Sequence, residues 1–481
     1  MLNILIQLSK YLLIILAILY TFQCFTVFKR RSDAKKNKVL RKQFTLILLI
    51  VSVGYLDIFL CTKNYFVIVL YAGIILYFVF LQLLYRLFYP KASMLVINNM
   101  CMLLGIGFIM LARLQVGFAM RQFVIAAIAS LFAFLIPVII RKLTFLSKLR
   151  WIYAVIGIIF LGIVLVLAQT SGGAKLSIEV AGVTFQLSEI VKISFVFFMA
   201  SSLYKDQSFK NIVITTAVAA LHVVILVLST DLGTGLVFFV TYLVLIFVST
   251  KKVSYSLAGL SGGCVAAVGA YFVFDHVKKR VVYWKDPFSD YSHAYQVVQG
   301  MFAIGAGGWF GTGLCQGSPN IIPLATTDFI FTAISEEFGN VFCICLILIC
   351  MSLFLMVVNI SMKIRNPFYK MIALGLGTEY AFQVFLNIGG SSKFIPLTGI
   401  TLPLVSYGGS SVMSTILMLA IVQGLYILRE DEDEKFEKAR RKTEQERKEK
   451  KEWEKNELKR QERAIIEAGG IADLYEDTRK R

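Results

Sequence analysis

Apolar runs of about 20 residues recur almost end to end along the chain. That is the length at which a helix rising 1.5 Å per residue crosses ~30 Å of hydrocarbon. The runs fall near 4–28, 43–61, 65–88, 93–112, 122–140, 151–170, 188–204, 211–229, 232–249, 253–274, 333–361, 367–388 and 404–428. They predict an all-α polytopic membrane protein with thirteen spans. The runs at 211–229 and 232–249 flank Asp231 and read as shorter than a full crossing.

Three polar stretches break the pattern. Arg280–Gly339 is the longest; it holds Asp286 and Asp290, six glycines between Gly300 and Gly313, and the pair Glu336–Glu337 where hydrophobicity resumes. Its Trp, Tyr, Phe and Gly content argues against disorder, so a surface loop of this length reads as functional. Asn387–Ser411 is rich in Gly, Pro and hydroxyls and cannot form one continuous helix. Such backbone near membrane depth is tolerated only beside protein or a wet cavity, and this segment is expected to pack beside the first loop. From Arg429 the chain is dominated by Glu, Lys and Arg without apolar heptads: a solvated helix or disorder, with partner binding as the other reading.

Composition supports the membrane reading, with 57% hydrophobic residues and a mean hydropathy of +0.73. The formal charge of +19 has a topological source. Residues 429–481 are neutral, with 17 basic and 17 acidic side chains, so the excess lies in residues 1–428, with 32 against 13. Alternating from an outside N-terminus puts 20 Lys and Arg in the segments 29–42, 86–92, 141–150, 205–210, 251–252 and 363–365, and 9 on the opposite face. Lys and Arg accumulate in cytoplasmic loops, so the N-terminus and the 275–330 loop are expected outside and the C-terminus inside. The basic balance thus needs no nucleic-acid partner. The run from Lys29 to Lys42 reads as an anchor against anionic lipid. Most of the eight cysteines lie within spans as small apolar residues (Cys24, Cys101, Cys264, Cys343, Cys345 and Cys350 among them), and Cys315 is the one in the outside loop. The N-terminal apolar stretch lacks a small-residue cleavage site and carries Lys10, so it does not read as a cleaved signal.

Charges at membrane depth cost several kcal/mol unless paired or hydrated. Glu189 and Lys192 share one helix face, as an ion pair or as cavity lining. Asp231 reads as a helix cap, and Glu336–Glu337 as a first-turn pair facing water. In the outside loop Asp286 and Asp290 bracket Pro287 beside Trp284, Tyr291 and Tyr295. A carboxylate against aromatic and membrane walls can have a raised pKa and serve as general base, or bind a hard divalent cation. Lys278, Lys279 and Arg280 offer cations for a phosphate. Walker A, H-E-x-x-H, G-x-S-x-G and zinc spacings are absent from the sequence. These residues describe a carboxylate-and-cation site at the outer leaflet, suited to an enzyme on a lipid-linked phosphate or to a transporter gate.

Seven motifs in order then carry a resemblance. They are G-A-K at 173–175, F-Q-L-S-E-I-V-K at 185–192, D-L-G-T at 231–234, D-P-F-S-D-Y-S-H-A-Y-Q at 286–296 with G-x-G-G-x-x-G-x-G at 305–313, T-D-F-I-F at 327–331, E-E-F-G at 336–339 and T-G-I-T-L-P-L-V-S-Y-G-G-S-S at 398–411. From about Ser93 to Leu428, roughly 70% of the chain, the protein resembles the SEDS family (shape, elongation, division and sporulation), the RodA, FtsW and SpoVE type. The resemblance implies a ten-span core at 89–428, preceded by three extra spans at 1–88 and followed by a charged cytoplasmic tail at 429–481.

It further implies a peptidoglycan glycosyltransferase at the outer face of the bacterial cytoplasmic membrane. Such an enzyme polymerises lipid II, depends on a divalent cation (Mg²⁺ or Mn²⁺), and works with a class B penicillin-binding protein and other elongation or division proteins. Asp290 occupies the position of the family's essential aspartate and is the expected base and metal ligand. Asp286 matches a less constrained position, and Glu189 with Lys192 matches the motif lining the family's central cavity. Tyr295, Gln296, Ser406 and Ser410 join the expected substrate-binding set, with Arg280 and Lys393 as cations for the pyrophosphate. In the implied chemistry Asp290 takes the proton of the acceptor's 4-hydroxyl, whose oxygen attacks the donor's anomeric carbon with inversion as undecaprenyl pyrophosphate leaves. The chain departs from the family at Ser177 (usually Trp), Leu187 (usually Pro) and Ser229–Thr230 (usually Gln-Pro). A lipid II flippase and a non-catalytic scaffold of a cell-wall complex stand as the other readings.

Overall fold

The structure, a computed structural model, describes residues 2–479 apart from 31, 168, 172–173 and 181–182. At 2–3, 144, 169–184, 462 and 465–478 it describes the backbone alone. The helices in chain order are α1 (Leu2–Lys29), α2 (Asp33–Thr62), α3 (Tyr65–Phe88), α4 (Met94–Leu114), α5 (Val116–Ala133), α6 (Ile136–Lys142), α7 (Arg150–Leu167), α8 (Leu187–Leu203), α9 (Phe209–Leu228), α10 (Leu232–Thr250) and α11 (Val253–Val273). They continue with α12 (Asp275–Lys285), α13 (Tyr291–Gly307), α14 (Ile330–Phe338), α15 (Asn340–Lys363), α16 (Pro367–Ser391) and α17 (Gly409–Arg479). The all-helical polytopic expectation holds, with one addition: between α7 and α8, strands β1 (Gln169–Ser171), β2 (Ala174–Val180) and β3 (Val183–Phe185) pair antiparallel in that order.

Among the described residues twelve helices are long and apolar enough to cross a membrane. The expected span at 188–204 is α8, whose 17 residues lie between α7, α10 and α16 in the bundle. The two pieces read as short are full-length: α9 has 20 residues and α10 has 19, with Asp231 capping α10 through the Thr234 N–H at 3.1 Å. The expected run at 333–361 is two helices, because Gly339 breaks it with φ +86. The long loop expected outside is itself ordered as α12, α13 and the buried α14.

Helices α1 and α2 are tied to the rest of the bundle by buried polar groups. Gln43 of α2 accepts from Asn98 of α4 at 3.0 Å, and Tyr20 of α1 donates to Asn99 at 2.9 Å. Asn99 donates on to Ser352 of α15 at 3.0 Å. All four partners from α1, α2 and α4 are buried, so each hydrogen bond replaces one that lipid cannot provide. By contrast α11 buries none of its residues and packs chiefly on α10 and α12.

Residues 428–481 form a separate compact unit. Its exposed helix carries i,i+4 pairs such as Glu434–Lys438 at 2.7 Å and Arg440–Glu444 at 2.8 Å, and Trp453 stands in the open. This is the solvated charged helix rather than disorder.

Candidate active site

Asp290 is fixed by local chain geometry. Pro287 and the Asp286 turn end the approach from α12, and Asp290 is the N-cap of α13, its side chain accepting from the His293 N–H at 3.4 Å. The same carboxylate accepts from the Ser292 hydroxyl at 2.9 Å and meets the His293 ring at 2.9 Å. These hydrogen bonds, His293's first, hold its pKa below the ordinary carboxylate value. The raised pKa expected for a walled-in carboxylate is therefore not what the fold supplies. The side chain is 40% exposed, and its neighbours donate to the charged form. Asp286 faces solvent and spends its side chain on the Phe288 N–H at 3.2 Å. Tyr295 lies half-buried, edge-on to Tyr291 at 5.5 Å, with Gln296 half-buried beside it on α13.

A second group forms where α12 meets the 392–408 segment. Arg280 donates to the Thr398 carbonyl at 3.1 Å, and Trp284 donates to the Lys393 carbonyl at 3.1 Å. Burial lowers the Arg280 pKa, while Asp328 and Asp231 hold it up. Asp328, in the T-D-F-I-F stretch, is pushed up to about 6 by burial against the opposing charge of Arg280. Sequence reading missed this residue. Its signal was an acid between two apolar runs in a motif already singled out. A folded-state pKa above the unfolded one gives stability that is complete below about pH 4 and lost as pH rises through 6. The thermal midpoint should thus fall between pH 4.5 and 7, by up to about 3 kcal/mol of unfolding free energy, with a shallower slope in Asp328→Asn.

The third group lies in the bundle. Lys192 meets Glu189 at 2.6 Å and donates to Gln383 at 2.7 Å, and Ser414 donates to Glu189 at 2.8 Å. Both members of the expected pair are buried, at 1% and 5% exposure. Glu379 of α16 lies within electrostatic reach of both, fully buried, and neither of its oxygens has a hydrogen-bond partner. Asp231 links this group to the second: it accepts from Ser188 at 3.2 Å and lies in the electrostatic field of Arg280 and Glu189. The polar side chains thus line a track from α12 into the bundle. Among the described residues, no hydrogen bond or ion pair joins Asp290 to that track.

Ser406 and Ser410 are committed to the fold. Ser406 donates to the Thr327 carbonyl at 2.6 Å and accepts from the Leu402 N–H at 2.8 Å, while Ser410 accepts from the Gln186 N–H at 2.9 Å. They hold the 392–411 segment against the Arg280–Gly339 loop and the start of α8, the side-by-side packing expected of the two segments. Glu336 and Glu337, expected to face water, are buried instead: Arg113 meets Glu337 at 2.9 Å and Glu336 accepts from the Ser318 N–H at 2.7 Å. Gly173 lies outside the described residues, as do the side chains of Lys175 and Ser177.

The glycine run serves close backbone packing. Gly311 and Gly339 both have positive φ, at +75 and +86, and a Cβ on Gly339 would overlap the backbone of Gly311 and Phe310. Gly339→Ala should cost about 3 kcal/mol, read as a drop in thermal midpoint. Among the described residues no group of three or more His, Cys, Asp or Glu is placed to hold a metal ion. A cation at Asp290 would have one protein carboxylate and would draw its other ligands from water and substrate oxygens, which suits Mg²⁺ better than Ca²⁺.

The family described as Cell cycle protein, that of FtsW, RodA and SpoVE, matches residues 92–430, leaving α1–α3 outside the match. The chain is 30% identical over 367 residues to the peptidoglycan glycosyltransferase RodA of Mycobacterium tuberculosis, covering 70% of this chain and 78% of that protein. It is 32% identical over 321 residues to the stage V sporulation protein E of Bacillus subtilis, covering 63% and 85%. A chain from a peptidoglycan synthase complex, described as coordinating polymerization and crosslinking, superposes with a TM-score of 0.61 at 23% identity, over 70% of this chain and 98% of that one. The Thermus thermophilus RodA crystal structure gives 0.55 at 22% identity, over 70% and 97%. These superpositions establish a shared fold.

Proposed function

The chain belongs to the FtsW, RodA and SpoVE family of cell cycle proteins, and from that premise we propose how its outer loop works. It is a multi-pass membrane protein and a peptidoglycan glycosyltransferase, as its relatives are named. Our reading is that it polymerises lipid II outside the cytoplasmic membrane, with Asp290 as the base.

The observation that carries this is the exposed, ionised carboxylate at the start of α13, in a stretch that faces the outer side by the charge distribution. A low-pKa carboxylate is a weak base, yet it is always in the charged form. Two effects make it sufficient. The acceptor hydroxyl becomes acidic as its bond to the anomeric carbon forms, and substrate covering the carboxylate strips its water and raises its pKa. Arg280, which donates to the Thr398 carbonyl, and Lys393, whose carbonyl accepts from Trp284, are the cations this reading assigns to the leaving pyrophosphate. Asp290 would hold Mg²⁺ or Mn²⁺, which supplies positive charge for the same leaving group.

Peptidoglycan synthesis couples strand growth to crosslinking, and a class B penicillin-binding protein is the partner this reading implies. Purified protein should convert lipid II to glycan strands on gels, lose this with a chelator and regain it with Mn²⁺. Transport of lipid II across liposomes without polymer would replace the reading with a flippase. From pH 8 to 5 kcat/KM should show no acidic limb from Asp290, because in the free enzyme its pKa lies below the ordinary carboxylate value of about 4. His293→Ala removes the largest cause of the depressed pKa and should bring such a limb upward in pH.

A further inference from the structure

Four stretches far apart in sequence meet around Gly399: α12, the T-D-F-I-F stretch, α16 and the 398–400 segment. Gly399 has φ +76. Beyond its chain neighbours, a Cβ built on it would have two atoms within 4 Å: Asp328 Oδ2 at 3.8 Å and Arg280 Nη2 at 4.0 Å. The two charged groups thus flank one open point over a bare Cα. Among the described residues no ion pair or hydrogen bond joins them, and the Asp328 carboxylate accepts no hydrogen bond. Asn387 of α16 ties this corner together. Its Nδ2 donates to the Ile400 carbonyl at 2.6 Å and to the Asp328 carbonyl at 3.1 Å, which fixes the orientation of the amide and leaves Oδ1 as an acceptor. That Oδ1 has no donor although the residue is only 2% exposed, and the buried Thr398 hydroxyl has no partner either. Arg280 uses Nη1 on the Thr398 carbonyl at 3.1 Å, and Nη2 faces the gap. A buried polar atom without a partner costs about 1–3 kcal/mol. Two of them beside an unpaired carboxylate mark a place where a ligand completes the hydrogen bonding.

We propose that this corner recognises the 2-acetamido group of the donor sugar, the sugar whose anomeric carbon carries the pyrophosphate. The inference rests on the lipid II reading and adds the contact that selects the donor. Charge decides the class of ligand. A bare anion would meet the lone pairs of Asp328 and Asn387, and a bare cation would meet Arg280. A neutral group that both donates and accepts satisfies all three. A secondary amide does so at two separate edges, which matches two groups that stand apart across a gap. Its N–H goes to the Asp328 carboxylate and its C=O to Arg280 Nη2. The Thr398 hydroxyl, next in the chain to Gly399, is a second donor, and Asn387 Oδ1 a second acceptor. The missing Cβ at Gly399 lets the group lie close against backbone. Arg280 carries five N–H donors in a fork, so this contact leaves its charge available to the pyrophosphate, one carbon away on the same sugar.

The test compares two substrates on the full-length protein in detergent. One is fluorescent lipid II; the other is an analogue with a hydroxyl in place of the 2-acetamido group on the pyrophosphate-bearing sugar. The analogue keeps the acceptor's 4-hydroxyl and the leaving group. The wild type should use it with kcat/KM lower by about 10²-fold or more, because a site built for polar groups rejects a substrate that lacks them. Asp328→Ala and Thr398→Val should each lower kcat/KM for lipid II by a larger factor than for the analogue, so the ratio between the substrates falls toward one. That comparison cancels any intrinsic difference in reactivity, and a merely structural role would slow both substrates alike and leave the ratio intact. Equal kcat/KM for the two substrates in the wild type overturns the inference and leaves the polymerase reading standing. Binding isolates the other failure. With a chelator present, lipid II should raise the thermal midpoint more than the analogue does. If that difference is seen but no strands form once Mn²⁺ is restored, the polymerase reading falls and the acetamido site stands. With no strands from either substrate, equal shifts overturn the site as well.

Discussion

Asp290→Asn should abolish strand formation from lipid II while the protein inserts and folds as before. The choice of asparagine separates two jobs of one side chain. Asp290 caps α13 through the His293 N–H, and asparagine caps as well as aspartate, so the helix start survives. What disappears is the negative charge that accepts the proton, and removal of a general base typically lowers the rate by about 10²–10⁴-fold. Asp290→Ala loses the cap as well and should show a lower thermal midpoint in addition to the lost activity. Asp286→Ala, which gives up only the turn contact to Phe288, should retain most of the activity. The assay is gel analysis of polymer from purified lipid II, alongside a thermal melt in detergent. Full polymerisation by Asp290→Ala would end the mechanism.

The second large effect is expected at Lys192. Among the described residues its ammonium is the one cation paired with the buried carboxylate of Glu189, and Glu379 lies close with no hydrogen-bond donor of its own. Lys192→Met keeps the length of the side chain and removes the charge. It leaves an uncompensated buried carboxylate, which costs about 3–5 kcal/mol. The melt of the purified protein should show that loss, and Glu189→Gln in the same background should restore part of it, because the pair then leaves together. Glu379→Gln alone should be neutral or stabilising. A Lys192→Met protein with an unchanged midpoint would mean that water reaches this group and that the bundle is more open than its packing indicates.

Much of this was legible in local sequence because the membrane imposes a strict rule. Backbone polar groups in hydrocarbon must be satisfied within the segment, so length and apolarity alone locate helices. The Glu189–Lys192 pair was readable for a similar reason, since three residues of helix place two side chains on one face. The cap at Asp231 followed from its position between two apolar runs. Where the reading went astray, the missing information was non-local. Glu336 and Glu337 look like a wet first turn until Arg113, more than 200 residues earlier, arrives against Glu337. The hydrogen bonds that tie Ser406 and Ser410 to Thr327, Leu402 and Gln186 are likewise set by the fold and not by local pattern.

The sequence by itself determined the helical class, the family resemblance, the face on which the basic residues gather, and Asp290 as the first residue to test. These follow from composition, spacing and motif order, which need no partner in space. Tertiary structure alone decided that Asp290's pKa is lowered, that Asp328 and Glu379 are buried acids, and that the first helix reaches the Gly311–Thr312 strip. Charge energetics depend on burial and on which groups approach within a few ångströms, and contacts between residues hundreds of positions apart leave no periodicity for a single sequence to show.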